Sequence, residues 1–85
     1  MIVFLNYNRV PNNFTGVCKI TINDSINFFE NGKLHKEDGP AVEYSDGNKE
    51  WYYKDNNCGY NRFSDESWKD FVKELKYFES LEIFK

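Results

Sequence analysis

One histidine, one methionine, two prolines and two cysteines are spread over 85 residues, and each shortage removes a class of protein. Cys18 and Cys58 form no CxxC pair, and no Cys/His group has zinc-ligand spacing. Two reduced, partly buried thiols are therefore expected rather than a metal site or a disulfide framework. A lone histidine without a second imidazole is weak equipment for a ribonuclease. No apolar run approaches the roughly 20 residues of a membrane span. Met1–Leu5 is too short for a secretion leader and lacks its basic residues, so a cytoplasmic protein is expected. A phosphate-binding glycine loop, a nucleophile elbow and paired catalytic carboxylates are missing as well, which predicts a non-enzyme with no cofactor. The net charge of −3 argues against broad DNA binding by charge alone and leaves a local basic patch open.

Aromatic residues are abundant: eight Phe, six Tyr and two Trp. A chain this short buries only about 60–65% of its unfolded surface, so its core must be dense, and aromatic pairs supply that density. The expectation is one α+β domain, strand-rich over 1–63 with a helix over about 65–79. An antiparallel meander of five or six short strands would carry one C-terminal amphipathic helix on one face. Ile2–Leu5 reads as a strand buried on both faces, and Gly16–Asn23 as a half-buried one with Cys18, Ile20 and Ile22 inward. Ile26–Glu30 returns, with Phe28 and Phe29 on opposite faces. Ala41–Ser45 and Lys49–Tyr53 form a hairpin around Asp46-Gly47, and Cys58–Phe63 is a last short strand.

Ser64 is a good N-cap, and Asp65 and Glu66 suit the positive end of the helix dipole. Trp68, Phe71, Val72, Leu75 and Phe78 then follow helical spacing, and Leu81–Phe84 is either a last turn or an edge strand. The predicted core is Ile20, Ile22, Phe28, Val42, Tyr44, Trp51 and Tyr53 together with those five helix residues. An offset of 24 residues lays Val17–Glu30 over Ala41–Lys54 and Asn31-Gly32 over Asp55-Asn56, as two degenerate copies of one strand–turn–strand unit.

Asn31–Tyr53 organises the chain, with turn chemistry at Asn31-Gly32, Asp38-Gly39-Pro40 and Asp46-Gly47. Its run Leu34-His35-Lys36-Glu37-Asp38-Gly39-Pro40-Ala41, then Asp46-Gly47, then Trp51-Tyr52, resembles a repeat in proteins of tailed phages and giant viruses. That repeat reads Gly-Lys-Leu-His-Arg-x-Asp-Gly-Pro-Ala, a strand, Asp-Gly and a Trp-Tyr strand. Lys36 stands where arginine is usual, and no catalytic residues carry over. The resemblance implies a phage accessory protein. In size and composition the chain is similar to small counter-defence proteins of T4-like phages, which implies a host protein as partner, such as a toxin–antitoxin ribonuclease.

His35 is the one candidate general base, with Glu37 and Asp38 nearby. The structural alternative, favoured here, is that it fixes the Asp-Gly-Pro turn by bonding to backbone around Gly39. Lys69, Lys73 and Lys76 fall within about 60° of one another on the helix, beside an acidic stripe of Glu66, Asp70 and Glu74. The favoured reading is a solvated face with mixed-sign pairs worth about 0.2–0.5 kcal/mol each; the alternative is a partner-facing surface, since sign segregation gives up some of those pairs. Lys33 and Lys36 flank His35, while Lys54 and Arg62 lie at other turns. If these gather with Tyr52 and Tyr60, they make a basic aromatic surface able to hold single-stranded RNA. Two functions therefore compete: a protein-binding inhibitor and an RNA-binding module. A homodimer through an edge strand or the helix is compatible with either.

Overall fold

The computed structural model describes residues 1–82. Seven short strands form one sheet: β1 Ile2–Phe4, β2 Gly16–Ile20, β3 Ser25–Glu30, β4 Lys33–Leu34, β5 Val42–Tyr44, β6 Lys49–Tyr53 and β7 Asn56–Tyr60. They lie in the order β1-β2-β3-β5-β6-β7, and β4 pairs with the end of β3. The fold is α+β, but the sheet is mixed rather than a pure antiparallel meander, because β1 runs parallel to β2. The connection between them, including a 3-10 turn at Tyr7–Arg9, crosses one face of the sheet instead of making a hairpin. β1 is consequently an edge strand with Ile2 and Val3 exposed, not a strand buried on both faces.

Strand alternation and register divide the side chains between two faces. Cys18, Ile20, Ser25, Asn27, Phe29, Val42, Tyr44, Glu50 and Tyr52 share the first. Val17, Ile26, Phe28, Glu43, Lys49, Trp51 and Tyr53 share the second. Each face is half covered, at opposite ends. On the first, Phe4, Val10, Phe14 and Leu34 close over Cys18, Ile20 and Phe29. On the second, the helix α1, Asp65–Glu82, packs Trp68 and Val72 onto Trp51 and Tyr53, with Cys58, Phe63, Phe71 and Leu75 around them. Both thiols are free, and burial raises their pKa values.

Helix α1 starts where its sequence dictates. Ser64 Oγ accepts the Ser67 N–H (3.1 Å) and Ser67 Oγ accepts the Ser64 N–H (2.9 Å), a capping box with serine at both positions. Trp68 is fully buried and donates its indole N–H to the Lys36 carbonyl (2.8 Å), tying the helix to the chain between β4 and β5. Burying an indole this way contributes roughly 3 kcal/mol. The helix runs past Glu79 to Glu82, so Leu81 belongs to it; Ile83 and Phe84 lie outside the described residues.

Two core assignments are corrected. Ile22 is 69% exposed because β2 ends at Ile20 and the alternation stops with it. Phe78 is 59% exposed because at 100° per residue it lies about 80° round the helix from Trp68, whereas Glu79, about 20° away, takes the sheet-facing position and meets Tyr53 and Lys54. Phe28, Tyr44, Phe71 and Leu75 are half-buried.

Candidate functional site

The turns place the candidate residues. Asn31 (φ 51°) and Gly32 (φ 78°) join β3 to β4, and Lys54 (φ 48°) and Asp55 (φ 69°) join β6 to β7. Positive φ at both central residues is the two-residue hairpin turn that matches strand twist. The second pair follows the first by 23 residues, not 24, so Lys54-Asp55 and not Asp55-Asn56 is the counterpart of Asn31-Gly32. Both turns are capped by one scheme. In the first, the Asn31 N–H donates to Thr15 Oγ1 (2.9 Å) and the Gly32 N–H to the Phe14 carbonyl (2.8 Å). In the second, the Lys54 N–H donates to His35 Nδ1 (3.0 Å) and the Asp55 N–H to the Leu34 carbonyl (2.9 Å). Asp55 Oδ1 accepts the Leu34 N–H in return (2.7 Å).

His35 therefore buckles the β6–β7 turn and not the Asp38-Gly39-Pro40 turn, and Gly39 itself lies outside the left-handed region. With Nδ1 accepting, the imidazole proton sits on Nε2, which faces Glu37 Oε2 at 3.1 Å and Glu30 Oε2 at 3.6 Å. The ring is almost wholly buried and packs on Tyr53. Both nitrogens are occupied, so the geometry gives His35 a structural role.

Two of the basic candidates, Lys54 and Lys76, meet carboxylates near this point. Lys54 Nζ reaches Glu79 (2.6 Å), and Lys76 pairs with Glu37. The Lys76 contact, foremost, holds the Glu37 carboxyl below its usual range, and Lys54 does the same for Glu79. Lys36 lies 3.8 Å over the Phe28 ring, and Arg62 stacks on Phe63 while donating to the Cys58 carbonyl (2.9 Å). Lys73 sits 3.9 Å from Asp70 on the exposed helix surface. Lys33 and Lys69 have no ion pair among the described residues. Beside the cluster, Val17, Phe28, Lys36 and Glu37 line an open groove of about 740 Å³. No three His, Cys, Asp or Glu side chains among the described residues converge as metal ligands would.

Tyr52 and Tyr60 are elsewhere. Register puts Tyr60 opposite Glu50 and Tyr52 opposite Asn57, all on the first face, with the helix on the second. The sheet thus stands between these two tyrosines and Lys69, Lys73 and Lys76, and one composite surface does not form. What does form is a tyrosine group around Glu50. Tyr44 donates its hydroxyl to Glu50 Oε1, and Asn57 Nδ2 donates to Glu50 Oε2 (2.8 Å) and to the Tyr52 hydroxyl (3.2 Å). Burial first, and then the Glu50 charge, raises the pKa of both Tyr44 and Tyr52. Tyr7 bonds to buried Asn27 (2.8 Å) at the border of this quadrant. Glu50, Tyr44 and Asn57 were absent from the sequence candidates. The signal was available in strand parity, which puts Glu50 with Tyr52 and away from Trp51.

No protein-family model, curated protein or solved structure matches this chain.

Proposed function

We propose that this chain is a non-catalytic binding protein whose partner is another protein. In the setting implied by the repeat resemblance, it is a phage accessory protein that disables a host defence factor, a toxin–antitoxin ribonuclease being the leading class. The observation that carries the protein-binding reading is the uncovered quadrant over β5, β6 and β7, where tyrosines and Asn57 surround one carboxylate. Tyrosine offers a large, rigid, amphipathic contact at low entropic cost, and asparagine adds adaptable hydrogen bonds. The RNA reading loses support because Lys54 and Lys76 are engaged with carboxylates and the tyrosines occupy the other face.

The test is affinity capture from bacterial lysate, with and without nuclease, using three baits: wild type, Tyr52→Ala/Tyr60→Ala and Lys69→Glu/Lys73→Glu/Lys76→Glu. The expected result is one protein retained in both halves, lost with the tyrosine variant and kept with the lysine variant. Recovery of RNA, with partners released by nuclease and by the lysine variant, would move the function to the helix.

A further inference from the structure

Among the described residues four glutamates are half-buried; Glu37 and Glu79 each face a lysine, whereas no lysine or arginine nitrogen lies within 4.0 Å of Glu43 or Glu50. Glu50 differs from Glu43 in having both oxygens held in place, by Tyr44 and Asn57. Lys49, its neighbour on β6, points to the opposite face. A carboxylate has about four acceptor positions. Tyr44 and Asn57 take one on each oxygen, fixing its orientation without neutralising it. Tyr60 lies directly across from it on β7, Tyr44 lies two residues beyond its β5 partner Val42, and Tyr52 follows two residues along its own strand. Tyr60 is 56% exposed, so this surroundings is open to solvent on one side.

We infer that Glu50 receives an arginine side chain of the protein partner, an inference that rests on the tyrosine quadrant being the binding surface. A guanidinium presents planar donors matched to a carboxylate and can lie against aromatic faces. It is also weakly hydrated, so it gives up less on leaving water than an ammonium does. The complementarity is one of charge and shape together: an anion without a counter-ion, held by neutral donors and bordered by π-surfaces.

The experiment measures binding of three fluorescent nonapeptides by anisotropy: arginine–glycine, lysine–glycine and citrulline–glycine. The proteins are wild type, Glu50→Gln and Glu43→Gln, the last removing an equal charge from the opposite face of the same hairpin. Wild type should favour the arginine peptide by roughly tenfold over the other two, and Glu50→Gln should lose roughly tenfold, with Glu43→Gln within about twofold. Equal binding of the arginine and lysine peptides, equal losses in the two variants, or no binding of the arginine peptide would overturn the inference. Tyr60→Ala, which leaves the Glu50 hydrogen bonds intact, repeats the test should Glu50→Gln fold poorly, and the arginine preference should fall with it. If lysate capture is lost in Tyr52→Ala/Tyr60→Ala but survives in Glu50→Gln, the surface stands and the arginine contact falls.

Discussion

The two tight turns, Asn31-Gly32 and Lys54-Asp55, have one backbone shape and one capping scheme, yet only the first is made of residues that favour that shape by themselves. Asn-Gly enters this turn at little cost, because both residues accept positive φ. Lys54 and Asp55 enter it at a cost of about 1–2 kcal/mol each, the usual penalty for a left-handed residue with a Cβ. What holds them there is the cap. His35 is buried and takes the Lys54 N–H, Leu34 takes the Asp55 N–H, and Asp55 returns a bond to Leu34. At the first turn the equivalent side-chain cap is Thr15, at an exposed site where water can replace it. One turn is specified locally; the other is imposed by the chain packed beside it.

This comparison can be broken at its strongest point. Gly32→Ala should have the largest effect, because a Cβ there would sit 1.9 Å from the Asn12 carbonyl oxygen at φ +78°. A loss of about 3 kcal/mol or more is expected, read from the urea midpoint. A loss below about 1 kcal/mol would show that the loop before β2 yields freely.

His35→Ala should come next, at about 2–3 kcal/mol, since it leaves the Lys54 N–H without an acceptor and opens a hole against Tyr53. Partner binding should survive in the fraction that remains folded, as measured by circular dichroism and capture together. Thr15→Ala, the matching change at the first turn, should cost about 0.5–1 kcal/mol. Equal costs for the two caps would mean that burial does not separate the turns.

The smallest effect is acid sensitivity around the buckle. The folded pKa of Glu37 is depressed, so its contribution is present above the unfolded carboxylate value and lost as pH falls through the folded one. Stability should therefore decline on acidification below about pH 4.5, and Glu37→Gln should flatten part of that decline. A slope unchanged by Glu37→Gln would leave Glu79 and Asp24, both also depressed, as its source.

Strand parity, the serine cap at Ser64, the Trp68–Leu75 stripe and the Asn31-Gly32 turn were legible in sequence because each depends on neighbours within a few residues. The parallel pairing of β1, the exposure of Phe78 and the 23-residue spacing of the turns were not. Each depends on where a distant segment lies: the loop from Leu5 to Thr15, the side from which the sheet meets the helix, the Leu34-His35 pair.

The sequence by itself determined an α+β chain with a capped amphipathic helix, a hairpin at Asp46-Gly47 and a turn at Asn31-Gly32, since propensity and periodicity act locally. Only the tertiary structure decided that His35 is a buckle and that Lys54 and Lys76 meet carboxylates. It alone separated the tyrosines from the basic helix. The physical reason is that pairing across a sheet sorts side chains by face, and a face is shared by residues that are far apart in the chain.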